Sequence, residues 1–189
     1  MNLDQILNTR RSVRSFDSRP VDEKDIISII EAARLSPSAC NSQTWRFIFV
    51  TQREIIRKIC HEAMRPVIPN KWLEQAPLVI VGCSQLDIIA NRVGARVTGI
   101  EYYQIDLGIA MEHMVLKATE LGIGTCWIGW FEENKLKEIL NIPKKIPTLF
   151  IKVVQQKNLC KKSLMCVRSL CRKLLLTQSR SKSIISEEF

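Results

Sequence analysis

The sequence predicts an α+β fold, a layered domain in which a mixed sheet is flanked by helices. Three observations lead there. Helical periodicities alternate with only a few short β-branched or aromatic runs. One long amphipathic segment at 100–121 outlasts every other periodic stretch. The chain's 189 residues, 46% of them hydrophobic, are enough for one domain with a real core.

A short helix at 3–9 feeds an arginine-rich string. A clearer one starts at Asp22, where Asp22 and Asp25 stand in a capping-box-like relation, and Ile26, Ile27, Ile30 and Ala33 repeat at helical spacing up to Pro37. The polar turn Ser36-Pro37-Ser38 gives way to Trp45-Arg46-Phe47-Ile48-Phe49-Val50, a strand by its aromatic and β-branched content. Residues 53–64 read as a helix. The uninterrupted apolar run 78–81 reads as a buried strand. In the long helix, Leu107, Met111, Met114, Ala118 and Leu121 build an apolar stripe, and Gly122 occupies the C′ position where a left-handed residue ends a helix. This stripe suits the core or a subunit contact. A strand at 125–128, a helix at 132–140 and a strand at 146–154 complete the reading.

Composition excludes several classes of function. The segment 1–21 carries no sustained apolar run, so neither a secretory signal nor a membrane span is expected, and the chain reads as soluble and cytoplasmic. Seven cysteines without paired C-x-x-C spacing read as free thiols, and two histidines, His61 and His113, are too few for a histidine metal cluster or a nucleophile relay, so no metal is expected. The formal charge of +9 is concentrated: residues 144–189 hold eleven Lys and Arg against two acids, while 1–143 are balanced and contain every glycine.

Two strings carry the chemistry. Arg10-Arg11-Ser12-Val13-Arg14 offers three guanidinium forks and a hydroxyl within five residues, the donor density a phosphate monoester demands. Ser36 to Trp45 supplies polar side chains and turn backbone suited to the edges of a ring. On either side of one helix, they read together as a site for a phosphorylated aromatic cofactor. By contrast, Gly122-Ile123-Gly124-Thr125-Cys126-Trp127 follows a helix and precedes no helix of its own, the reverse of a dinucleotide-binding phosphate loop. This segment instead delivers backbone N–H groups past a small residue at Gly129.

With Arg10 to Phe16, Ser36 to Phe47 and Leu121 to Gly129 in this order, the chain resembles the nitroreductase family of FMN-dependent oxidoreductases over roughly residues 3–143. The resemblance implies a nitroreductase-like mixed sheet, a homodimer with FMN at its interface, and NADH or NADPH as electron donor to a small-molecule substrate. It implies that Arg10, Arg11 and Ser12 hold the FMN phosphate and that Arg14 lies toward the N1 and O2 side of the flavin. Pro37, Ser38 and Asn41 would shape the pyrimidine and ribityl side, with Gln43 a weaker candidate and Asn70 a looser match to a ring-contacting asparagine. Ile128 and Gly129 would offer backbone donors to the N5 and O4 edge. No acid, base or nucleophile is then required of the protein, because the flavin carries the redox chemistry.

The chain departs from the family beyond residue 154. The usual glycine and Tyr-Pro are missing after the last strand, and a basic tail, 155–189, follows the FMN-binding domain 3–154. Glycine, charge balance and family motif are lost near one point, which predicts a shifted reading frame in place of the usual C-terminus. Leu164, Val167, Cys171 and Leu174 could form a basic amphipathic helix there. Two alternatives stand beside the enzyme: a flavin-binding scaffold without turnover, and a basic nucleic-acid-binding protein acting through the tail. The tail's lack of interleaved aromatics speaks against the second.

Overall fold

A computed structural model describes residues 1–17, 19–67, 70–86 and 94–156. The tail, its expected amphipathic helix and the question of its reading frame lie outside the described residues. The described elements are α1 (Leu3–Thr9), α2 (Glu23–Arg34), a 3-10 turn (Ala39–Asn41), β1 (Trp45–Val50), α3 (Arg53–Lys58) running into a π turn (Ile59–Ala63), and a second 3-10 turn (Lys71–Gln75). There follow β2 (Leu78–Ser84), α4 (Gly94–Thr98), α5 (Tyr102–Glu120), β3 (Ile123–Ile128), α6 (Glu133–Leu140) and β4 (Thr148–Gln156).

The four strands form one sheet in the order β1-β2-β4-β3. Every ladder in it is antiparallel. Among the described residues the mixed character expected of the sheet reduces to one parallel bridge, Ser12 to Thr125, on the outer edge of β3. Side chains alternate between the two faces, as the pleat requires. On one side Trp45, Phe47, Leu78 and Ile80 pack with Ile29, Ile30 and Ala33 of α2 and the α5 stripe Leu107, Met111, Met114 and Ala118. On the other, Ile48, Val79, Val81 and Ile128 meet Ile56, Ile59, Leu136 and Leu140. β2 is buried along its whole length, which explains its unbroken apolar run.

Several local expectations change. Asp22 does stand at the N-cap of α2, but its side chain caps nothing and pairs with Lys24 at 3.1 Å. The capping box belongs to α1, where Asn2 and Gln5 exchange side-chain and backbone bonds at 2.9 Å. The 53–64 helix splits at Ile59, and the wider π turn sets Ile59, Cys60 and Ala63 together in the core. α5 opens at Tyr102, after a separate α4 that periodicity did not show, and Leu121 is its half-buried C-cap. β2, β3 and β4 run to Ser84, from Ile123 and to Gln156, because ladder partners extend strands past their apolar cores. Among the described residues no helix is long and apolar enough to cross a membrane, and no three His, Cys, Asp or Glu cluster as metal ligands.

Candidate functional site

The arginine string is laid along β3 by backbone contacts. Arg10 is the C-cap of α1, with φ −58° and ψ 127°, so the chain leaves the helix extended. Val13 N–H then donates to Thr125 O at 2.9 Å beside the Ser12–Thr125 bridge. Gly124 permits this approach: a Cβ there would stand 2.9 Å from Val13 Cγ2. That is the role of the glycine pair after α5, with Gly122 at φ 77° ending the helix and Gly124 receiving the string. Farther on, Phe16 N–H donates to Gln75 Oε1 at 3.3 Å and the Phe16 ring rests on Trp72, centroids 5.4 Å apart.

Held at both ends, the string turns Arg10, Arg11, Ser12 and Arg14 to solvent. Among the described residues no carboxylate forms an ion pair with any of the three guanidinium groups. Among the described residues their charge is uncompensated, a donor arrangement chemically suited to an anion. The charge is felt at Cys126: burial pushes its thiol pKa up, while the Arg14 charge and a Ser12 hydrogen bond pull it back.

The second string is a tight loop between α2 and β1. Ser36 Oγ donates to Ala33 O at 2.6 Å, and Ser38 Oγ accepts Gln43 N–H at 3.0 Å. Cys40, Asn41 and Gln43 sit in the left-handed region at φ 51°, 51° and 44°. Such residues cost roughly 1–2 kcal/mol each without glycine, least for Asn, and concentrate where function dictates the backbone. The loop is clasped at both ends. Ala39 N–H donates to Asp106 Oδ1 of α5 at 3.0 Å, and Arg46 donates to Trp45 O at 2.8 Å and Gln43 O at 3.4 Å. Pro37, Cys40, Asn41 and Gln43 are exposed, and Ser38 is half-buried.

Ile128 ends β3 in the core, and Gly129 emerges from it exposed. A Cβ at Gly129 would meet nothing within 4 Å, so this turn faces open space. Beside it lies a cleft of ≈ 390 Å³ bordered by Arg65, Phe131, Glu132 and Thr148, with Arg65 and Glu132 paired at 2.9 Å. Asn70 is placed differently from the other candidates. It is buried, its Nδ2 is directed at Met64 Sδ 3.9 Å away, and its carbonyl accepts Leu73 N–H at 2.8 Å.

The structure brings the arginine string and the Ile128–Gly129 turn together on β3, but enters the polar loop into β1, the opposite edge of the sheet. Three inter-strand steps separate these edges, roughly 14 Å. Sequence reasoning missed Asp106 and Arg46 as holders of the loop and Gly124 as a seat for the string. Asp106 did leave a signal, an acid inside the apolar stripe next to Leu107.

Comparison with known proteins bears on this arrangement. A model of the Nitroreductase family matches residues 7–153. The chain is 33% identical over 147 residues to an Archaeoglobus fulgidus protein assigned as an NADH dehydrogenase/NAD(P)H nitroreductase, with 75% of this chain and 78% of that protein covered. It is 30% identical over 156 residues to the FMN reductase [NAD(P)H] of Bacillus subtilis, covering 74% of this chain and 59% of the relative. Among solved structures it is similar to a nitroreductase family protein of Clostridium novyi NT, with TM-score 0.74, 31% identity, and 82% and 84% of the two chains covered. A nitroreductase family protein of Clostridium difficile 630 gives 0.72 at 27% identity, over 86% and 88%.

Proposed function

This chain belongs to the nitroreductase family, and from that premise we propose that it is an enzyme that takes electrons from NADH or NADPH onto bound FMN and delivers them to a small organic acceptor, a nitroaromatic, a quinone or a similar compound. The observation that carries the proposal is the row of guanidinium groups, without an ion pair among the described residues, seated on β3 through Gly124, with the open Gly129 turn at the end of the same strand. These residues fit FMN: free cations for a dianion, and exposed backbone beside unfilled space for a ring.

FMN, when bound, would supply the two-electron redox chemistry. Arg10, Arg11 and Ser12 bind the phosphate by charge-assisted hydrogen bonds. Arg14 would place a cation toward the N1 and O2 side of the flavin, where it would stabilise negative charge. Ser38 and Asn41 donate to the pyrimidine and ribityl side, Pro37 shapes that wall, and Gln43 contributes more weakly. Ile128 and Gly129 would offer backbone donors to the N5 and O4 edge. Asn70 would have to turn its amide outward from Met64 to reach a ring. The cleft next to Gly129 is of a size that suits a small acceptor, at the lower end of ligand-site volumes.

The string and the loop occupy opposite edges of the sheet, which supports a site shared across a homodimer, one chain's string completed by the loop of a second. Residues 3–154 form the FMN-binding domain in this reading. The protein is a cytoplasmic enzyme, with neither nucleic acid nor metal among its partners.

The purified protein is expected to be yellow, with flavin absorbance bands that bleach under anaerobic NADH or NADPH and return when an acceptor is added. A protein that stays colourless and takes up no added FMN would overturn the proposal. Bands that persist with both donors would leave a flavin-binding scaffold without turnover.

A further inference from the structure

We propose that Asp106 is a positioning residue that holds the polar loop 36–44 in its cofactor-ready shape from inside α5; the inference rests on the FMN reading above. Asp106 is 3% exposed and sits among Tyr103, Leu107 and Ala110, all buried on the same helix. A carboxylate is costly in such surroundings unless it is spent on strong hydrogen bonds. One of its oxygens accepts the N–H of Ala39, 67 positions away in sequence, at 3.0 Å.

Ala39 is a strategic point in the loop. It opens the 3-10 turn that carries Cys40 and Asn41 in the left-handed region. Its neighbour Ser38 accepts Gln43 N–H through Oγ and Asn41 N–H through its carbonyl. A shift of Ala39 therefore moves Ser38 and Asn41 together, the two residues assigned to the flavin's polar edge. Arg46 fixes the far end through Gln43 O and Trp45 O, so Asp106 decides where the near end lies. An amide at the same position keeps one oxygen for the Ala39 N–H but adds two buried N–H donors, so it should hold the loop less well, and a methyl group not at all.

The experiment compares wild type, D106N and D106A by two readouts: FMN affinity from fluorescence quenching, and hydrogen exchange at the Ala39 amide in FMN-free protein. Thr119→Ala, a buried polar change at the other end of α5, is the control and should leave both unchanged. D106A is expected to weaken FMN binding at least tenfold and to lose Ala39 protection by a similar factor, with D106N between it and wild type. Wild-type affinity in both variants, or weakened affinity with Ala39 still protected, overturns the inference. If circular dichroism shows D106A unfolded, D106N alone decides by the same two readouts. A wild type that takes up no FMN defeats the cofactor reading instead, and Ala39 exchange still shows whether Asp106 holds the loop.

Discussion

Gly124 shows how much can hang on one hydrogen atom. Its missing Cβ lets Val13 lie on β3, so Gly124→Ala forces Val13 to give way at 2.9 Å and lifts the arginine string from its seat. The expected result is about a tenfold loss of FMN affinity with the melting temperature little changed, measured by titration and thermal denaturation; unchanged affinity would mean that the string is held elsewhere. Cys83 makes a second prediction. Burial pushes its thiol up to about 11, against smaller pulls from the Thr148 hydroxyl and Lys137. The folded state thus favours the neutral thiol, and the stability this confers is full below the ordinary value of 9.0 and is lost as pH rises from there toward about 11. Stability measured by denaturant from pH 8 upward should fall more steeply in wild type than in Cys83→Ala. The sequence contained both residues, but only the fold says that Val13 meets Gly124 or that Cys83 is wholly enclosed.

Helix α5 is the element on which the sheet and the loop both depend. Leu107 is fully buried, and a Cβ on Gly82 of β2 would stand 2.7 Å from Met111 Sδ and 3.3 Å from Leu107 Cδ1, so the methyl group needs room that both side chains now fill. Leu107→Ala should cost about 2–5 kcal/mol in urea unfolding through lost burial and the cavity left behind. Gly82→Ala should destabilise wild type more than the Leu107→Ala background, where the cavity receives the methyl group, and a double-mutant cycle measures the difference. Full additivity would show that the two residues do not share that space. Elements of this kind were readable from pattern: β1 from its aromatic and β-branched run, the α5 stripe from its four-and-three stepping, the end of α5 from Gly122. α4 was not, because five residues hold too little periodicity to show, and the π turn at Ile59 was not, because it continues an apolar spacing that an α-helix would also satisfy. The Asp22 and Asp25 pair shows the limit of a motif without geometry, since its carboxylate had a lysine two residues away to prefer.

At the scale of the whole molecule, strand order decides how a site can be assembled. Both strings were visible in the sequence, but their separation to opposite edges follows from the β1-β2-β4-β3 order, which no local pattern encodes. A site shared between two chains predicts complementation. An Arg10→Ala/Arg11→Ala chain and an Asn41→Ala chain, each poor in FMN binding alone, should on random co-assembly restore about a quarter of the native sites, because half of the dimers are mixed and each carries one intact site. Counting tightly bound FMN in the co-expressed, tagged mixture checks this, and no recovery would place both strings in one chain's site. The parallel Ser12–Thr125 bridge has one more consequence. β3 is an outer strand, and an outer strand with free amides and carbonyls invites another polypeptide to add itself. The N-terminal string occupies that margin and lines it with like charges that disfavour edge-to-edge pairing of two β3 strands, so a chain shortened past Val13 should precipitate more readily than it unfolds.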